Sequence, residues 1–313
     1  MPAGPATRRP PAPRSLLIPY KVAPAVRARD ADALMRALTP LVTPHAGSIR
    51  GAHKFALYKV AEAELEDGDA AIRWAVELAR RDEPIAKQFA AQLCALHADA
   101  FGERPAEVLG VLQVCAEDEN WEVRETAAAV LSRLLVRQPV AFLVVLRSWA
   151  ASRSANRRRA AVVAVKLAAR IIPEHAEALL DLLEPLASDS DEYVRRNFGA
   201  FAVGDGLLRA APAPTLRRLA RWAKAPDEWT RWNVASAFCA AEARRHREEA
   251  LPILRKLAAD LRPRVTRAVV RALVNLAAAD RAGVLRAVGA WGEDAPRRAV
   301  ASALKARLLG RST

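Results

Sequence analysis

From about Gly51 onward, apolar residues recur three and four positions apart in runs that come in pairs, the spacing of helices that each bury one face. One pair shows the rule. Pro105 opens a first run whose apolar stripe is Val108, Leu109, Leu112 and Cys115. Asp118-Glu119-Asn120 then makes a turn and supplies an N-cap, and a second run aligns Val123, Ala127, Val130, Leu131 and Leu134. In the next pairs the turn residues are Asn156, Asp189 to Asp191, and Asp227. Each first run ends on the same motif: Leu78-Ala79, Cys115-Ala116, Trp149-Ala150, Leu186-Ala187, Trp222-Ala223, Leu257-Ala258 and Trp291-Gly292, at intervals of 34 to 37 residues. A period of this size marks supersecondary units stacked side by side, none able to bury its apolar face alone.

The predicted fold is therefore all-α, a HEAT-like repeat α-solenoid: a curved right-handed superhelix of antiparallel helix pairs over residues 51–310. Small residues at one place in the second helices (Ala127, Ala161, Gly199, Ala235) allow close approach of neighbours. Residues 15–50, broken by Pro19, Pro24, Pro40 and Pro44, read as an N-terminal helical cap, and the Pro- and Arg-rich residues 1–14 as disordered. The chain has 313 residues, 52% of them apolar and only 5% aromatic, which favours helices and suffices for one continuous core.

Charge adds a second layer to the picture. Net charge is +14, and about nine residues after each end-motif stands a cation: Lys87, Arg124, Arg158, Arg195, Arg231, Arg267 and Arg298. One such residue per repeat, at the start of each second helix, predicts a basic stripe on the concave face. A GC-rich coding bias favours Arg over Lys, but it does not separate acids from bases, and here they are separated. No acid lies between Glu125 and Glu174, where nine cations fall, among them Arg157, Arg158, Arg159 and Lys166. A second acid-free stretch, Leu207 to Pro226, holds Arg209, Arg217, Arg218, Arg221 and Lys224. Such a field draws polyanions, nucleic acid first among them. Three adjacent arginines at a helix start fan about 100° apart, so at least two of them are expected to project to solvent or ligand, and phosphate suits the guanidinium fork.

Three segments, one repeat apart, carry a resemblance: Asn120-Trp121-Glu122-Val123-Arg124-Glu125, Ser154-Ala155-Asn156-Arg157-Arg158-Arg159-Ala160, and Glu192-Tyr193-Val194-Arg195-Arg196-Asn197-Phe198-Gly199. Together, over residues 70 to 280, they resemble the HEAT-like-repeat DNA alkylation repair family, the AlkD- and AlkC-like alkylpurine DNA glycosylases. The resemblance implies a basic groove that clamps double-stranded DNA by its backbone, and removal of cationic N3- or N7-alkylated purines with water and no cofactor. It implies catalytic roles for Glu125 and Trp121, one helical turn apart, with Glu122 as the second carboxylate to weigh. It also implies a DNA contact from Arg158 or Arg159, with Asn156 before it; the basic slot and its neighbouring cations add Arg124, Arg157, Lys166, Arg195, Arg196 and Arg231 as expected DNA contacts. Trp232, in the slot after Arg231, reads as exposed beside these arginines and as a DNA contact, a wedge or sugar-stacking residue.

The third segment departs from the family pattern: the second lesion-stacking tryptophan is replaced by Ala200, and Phe201 is one residue out of phase. Two further readings stay open beside the glycosylase: a catalytically inactive binder of damaged DNA, and a repeat scaffold for an acidic protein partner. Trp149, Trp222 and Trp291 share a slot with leucines and read as core. Cys94, Cys115 and Cys239 are scattered, no metal-ligand spacing occurs, and no run is long enough to span a membrane. A cytoplasmic monomer without metal or cofactor is the expectation.

Overall fold

The computed structural model describes residues 18–291 and 294–310, so residues 1–14, read as disordered, and Gly292 lie outside the described residues. Among the described residues every regular element is helical, apart from one isolated bridge between Val42 and Ile49. The chain forms two compact units, Met1–Ala127 and Ala128–Thr313. Both are stacks of helix pairs in two layers, the all-α, HEAT-like solenoid organisation that the period predicted.

In the first unit α1 (Ile18–Ala28) and α2 (Ala31–Leu38) are the short pieces expected of the N-terminal segment, and α1 packs on α3 (Gly51–Glu64). There follow α4 (Gly68–Ala79), α5 (Pro84–Leu96), α6 (Pro105–Ala116) and the start of α7 (Trp121–Arg137), with α4 against both α5 and α6. The second unit continues with α8 (Pro139–Ala150), α9 (Ala155–Ala168), α10 (Ala176–Leu183) and α11 (Glu192–Asn197). From α11 the chain runs on through a π-helix (Phe198–Leu207) into a last turn, α12 (Leu208–Ala210). Then come α13 (Pro212–Trp222), α14 (Glu228–Ala237), α15 (Arg247–Leu257), α16 (Pro263–Ala277), α17 (Arg281–Gly289) and α18 (Ala295–Leu309). First helices α8, α10, α13 and α15 contact one another in series, as do second helices α9, α11 with the π-helix, α14, α16 and α18.

Local chemistry sets the helix starts. Pro84, Pro105, Pro139, Pro212 and Pro263 occupy first turns, where the missing N–H costs nothing. Asp67, Asp191 and Asp227 cap α4, α11 and α14 by accepting from backbone N–H groups. In the second predicted turn the cap is Ser154, whose Oγ accepts from the Arg157 N–H, while Asn156 lies inside α9. Serine does this work two residues before the asparagine singled out by its type.

The repeated end-motif is the core. Leu78, Cys115, Trp149, Leu186, Trp222, Leu257 and Trp291 are all buried, which places the three tryptophans where leucine sits in sister repeats. The stripe of α7 is buried throughout, whereas in α6 Val111 is buried and Leu109 is only partly covered.

The π-helix is pressed between α9 and α14. A Cβ on Gly199 would meet the Ser236 Cβ at 2.7 Å, and one on Gly204 would run into the Ala237 carbonyl and meet the Ala240 Cβ at 2.7 Å. Backbone cannot yield as a side chain does, so Gly204→Ala should destabilise by about 2 kcal/mol or more. Urea unfolding followed by tryptophan fluorescence measures it, and an unchanged midpoint would contradict this packing.

Candidate nucleic-acid interface

In five repeats the cation at the fourth position of a second helix, Lys87, Arg124, Arg158, Arg195 or Arg231, is bound within the protein, whereas Arg298 of α18 is exposed. Arg124, Arg158 and Arg195 each donate to two carbonyls five and six residues back: Asp118 and Glu119, Ser152 and Arg153, Asp189 and Ser190. Those carbonyls lie in the turn between the two helices of a pair, so each guanidinium ties its second helix to the turn before it. The same slot also reaches the following repeat. Lys87 pairs with Asp118 at 2.6 Å, Arg158 with Asp189 at 2.6 Å and Arg231 with Asp260 at 2.6 Å. In the last two pairs the arginine side chains are 17% exposed and the carboxylates 5% and 3%. The hydrogen bond to Asp189 raises the Arg158 pKa above its ordinary value. Burial pushes the Asp260 carboxyl up, but hydrogen bonds from Arg262 and the charges of Arg231 and Arg262 outweigh it and hold it below the usual range.

The arginine triplet fans out as helix geometry demands, yet it does not send two side chains outward. Arg158 turns to Asp189, and Arg159 is buried at 9% exposure with its guanidinium 5.2 Å from the Tyr193 ring centroid. Arg157, the remaining member, is partly exposed. Lys166 lies over the Phe201 ring at 4.6 Å and within 3.4 Å of Asp205, which belongs to the π-helix rather than to a helix end.

The second acid-free stretch meets acids from its neighbour. Arg218, 6% exposed, is surrounded by Glu177, Asp181 and Glu184 of the α10 region at 3.2, 2.7 and 2.9 Å. Arg217 pairs with Glu177 and Arg221 with Glu184. The first-helix face there is neutralised. On the second-helix face Arg267 and Arg271 of α16 are exposed and bond no acid among the described residues.

Arg271 borders a cavity that the second helices of this unit leave between them. It has a volume of about 630 Å³ and is lined by Arg195, Arg196, Arg264 and Arg271, by Trp229 and Trp232, and by Gly199 and Ala200 at the start of the π-helix. Trp229 was not singled out by sequence. Its ring holds two guanidiniums, Arg195 at 3.7 Å and Arg264 at 4.1 Å from the centroid. Trp232, read as exposed, is partly covered and stands perpendicular to Trp229, 6.2 Å between centroids. Trp229 and Trp232 lie three apart on α14, which puts them on one face. Arg196 is exposed and pairs with Glu192 at 2.6 Å.

In the first unit, Trp121 opens α7 half-exposed, with the His45 ring edge-on at 5.7 Å. Glu125 follows one turn later, partly buried. Glu122 is committed elsewhere: Lys54 donates to it at 2.7 Å and the buried Gln88 at 3.4 Å, and Ser48 donates to Gln88 at 2.7 Å. Burial raises the Glu122 carboxyl, but the bond from Lys54 and its charge bring the balance below the ordinary value. Burial pushes the Cys115 thiol up to about 12 and raises those of Cys94 and Cys239, so none is a thiolate near neutrality. Among the described residues no three His, Cys, Asp or Glu side chains group to hold a metal ion, and no helix is long and apolar enough to cross a membrane.

Fold and face thus define a helical-repeat protein whose second helices gather arginine and tryptophan. The chain belongs to the DNA alkylation repair enzyme family, whose profile matches residues 44–202 and 200–306. No curated protein matches significantly. Among solved structures, YibA of E. coli is 19% identical over 95% of this chain and 99% of that one, with a TM-score of 0.38. Computationally designed armadillo repeat proteins for modular peptide recognition are 18% identical over 82% of this chain and 99% of theirs, with a TM-score of 0.29. At such scores neither likeness bears on function.

Proposed function

We propose that this alkylation repair protein binds double-stranded DNA by its backbone, through the second-helix face, and releases cationic N3- or N7-alkylated purines. The observation that carries the binding is the asymmetry of charge in the second unit. First-helix arginines 217, 218 and 221 are each paired with acids, while Arg267 and Arg271 on the second helices are not. Unpaired guanidiniums on a face with few acids are the groups that gain most from a phosphate.

For the chemistry, a cationic alkylpurine is already a good leaving group. The enzyme need only stabilise the positive charge that develops on the sugar as the glycosidic bond breaks; water then adds to the sugar carbon and loses a proton. A carboxylate and an indole face serve that purpose, and Glu125 with Trp121 are the pair on one helix face. Ala200, small and lining a cavity rather than covering it, favours a second reading in which the protein recognises damaged DNA without turnover.

Binding to a fluorescent duplex at several salt concentrations tests the first part. Four to eight phosphate contacts give a log–log slope of roughly −4 to −7. Arg267→Ala with Arg271→Ala should weaken binding about 10-fold and flatten the slope by about 2, whereas Arg217→Ala with Arg221→Ala should change affinity less than about 2-fold. Equal losses would overturn the assignment of faces. Absence of binding at low salt would leave the protein-scaffold reading.

A further inference from the structure

The last two second helices, α16 and α18, leave a groove whose apolar walls the DNA-binding reading does not use. It encloses about 500 Å³, within the roughly 300–1,000 Å³ of ligand-holding clefts. Thr266 and Val270 line it from α16, and Ala299 and Ala303 from α18. The members of each pair stand four residues apart, so each wall is one helix face. The hollow exists because the α18 wall is alanine, where leucine would fill it. Leu261, in the turn before α16, borders the same hollow and is 83% exposed. One exposed leucine alone carries no meaning, but here it extends an apolar surface that is already concave.

The groove has a neighbour of opposite character. A hollow of about 450 Å³ beside it is lined by Arg264, Arg267, Arg271 and Arg307. The two hollows share Pro263, Arg267 and Arg307, so both arginines stand where apolar lining gives way to cationic lining. Arg267 and Arg307 are exposed and bond no acid among the described residues. The acids nearby do not offset them. Asp260, on the apolar side, is 3% exposed and held by Arg231 and Arg262, and Glu228, on the cationic side, faces Arg264 at 3.9 Å.

An occupant of both hollows needs apolar groups on one side and negative charge on the other. Duplex DNA offers the charge, but its apolar surface is stacked inside, so it leaves the groove unfilled. Residues 1–17 of the chain carry Arg8, Arg9 and Arg14 and no acid, and a net charge of +14 sets a second copy against the same rim. A helix with apolar anchors three, four and seven residues apart and carboxylates along one flank meets both demands. We propose that the groove between α16 and α18 docks an acidic amphipathic helix of a partner protein. The apolar anchors lie against Val270, Ala299 and Ala303, and the carboxylates meet Arg267 and Arg307. The proposal does not rest on the DNA-binding reading. Both use Arg267, so Leu261, which a phosphate backbone has no reason to touch, separates them.

The probe is a fluorescein-labelled peptide of glutamate, alanine and leucine, as long as the 15 residues of α16 and of α18, its leucines set on one helix face. Fluorescence anisotropy with the full chain should give a Kd on the order of 10 µM. A peptide of the same composition with leucines spread round the helix should bind about 10-fold more weakly, and one with lysine for glutamate weaker still. Leu261→Ala should cost the first peptide about 5-fold and Ala303→Glu, which sets a like charge in the groove, about 10-fold. Both positions are exposed, so neither change touches the core. Duplex affinity of the Leu261→Ala protein should stay within about 2-fold of the unmodified one. No binding of the first peptide at about 100 µM would overturn the proposal. Equal binding of the two leucine arrangements would do so too, because charge alone would then explain it, as would affinity that survives both variants. A loss at Leu261→Ala as large for the duplex as for the peptide would assign the groove to DNA. Failure to bind duplex at low salt, with peptide binding intact, would strike the DNA-binding reading and leave this one standing.

Discussion

Asp260→Ala is expected to destabilise the second unit by about 3 kcal/mol, the largest loss of any single side chain considered. The carboxylate is 3% exposed and takes Arg231 at 2.6 Å and Arg262 at 2.7 Å, and its other oxygen accepts from the Arg262 backbone N–H. Removing it strands a guanidinium that is itself 17% exposed and frees a backbone donor at the start of α16. Breaking one side of a buried pair costs about 3–5 kcal/mol, and the lower figure applies because Arg262 retains access to water. Arg231→Met in the Asp260→Ala background should recover part of the loss, since no charge is then left unpaired. Urea unfolding of the three variants measures the coupling; independent, additive effects would dismiss the pair. The pH dependence has a fixed sign. Asp260 is held below its ordinary pKa, so its contribution is complete above the ordinary carboxylate range and is lost as pH falls through the lowered value. Asp260→Ala should therefore narrow its deficit against the unmodified protein at strongly acidic pH.

This pair explains where the sequence reading of the basic slot parted from the structure. The period, the paired runs and the buried end-motif were all legible, because each depends on local spacing: a buried stripe at 3.6 residues per turn and a small residue at each turn. The cation every repeat was legible too, but its partner was not in view. Asp118 and Asp189 lie 31 residues after Lys87 and Arg158, and Asp260 takes the corresponding place after Arg231. A search for carboxylates one repeat downstream would have found them. The acid-free stretch around Arg217, Arg218 and Arg221 misled in the same manner, because its acids come from α10 and the 3-10 turn after it in the preceding pair. In a stacked repeat, charge balance is struck between neighbours some 35 residues apart in sequence, so a linear window overstates segregation.

The aromatic side of the face was half legible. Trp232 drew notice for standing beside Arg231, yet Trp229, which organises Arg195 and Arg264, did not. Glu228-Trp229-Thr230-Arg231-Trp232 carried the signal, two indoles three residues apart on a helix that begins at Glu228. What no pattern indicated is the π-helix, which starts at Phe198 and lies between α9 and α14. Gly199 is among the small residues that the sequence marks for close approach, and a Cβ there would meet Ser236 of α14; nothing in the sequence marks Gly204, where a Cβ would run into the Ala237 carbonyl of α14.

Glu125→Gln should abolish most release of 7-methylguanine from methylated duplex DNA, a loss of about 100-fold or more under single-turnover conditions. The substitution is nearly isosteric and removes the negative charge, so DNA affinity should hold within about 2-fold. The loss follows from what the reaction asks of the protein: no proton need be given to a leaving group that is already cationic, so electrostatic stabilisation of the sugar is the principal service. Glu122→Gln is the control. Its carboxylate is bound to Lys54 at 2.7 Å and to Gln88, so its loss should appear in the unfolding midpoint rather than in the chemical step. Trp121→Ala, at a residue half-exposed where α7 begins, should reduce the rate less than Glu125→Gln, because a ring face stabilises a cation more weakly than a full negative charge does. Strong release by the Glu125→Gln protein would remove this carboxylate from the mechanism. No release by the unmodified protein, with duplex binding intact, would decide for recognition without turnover, the outcome that Ala200 at the cavity floor favours.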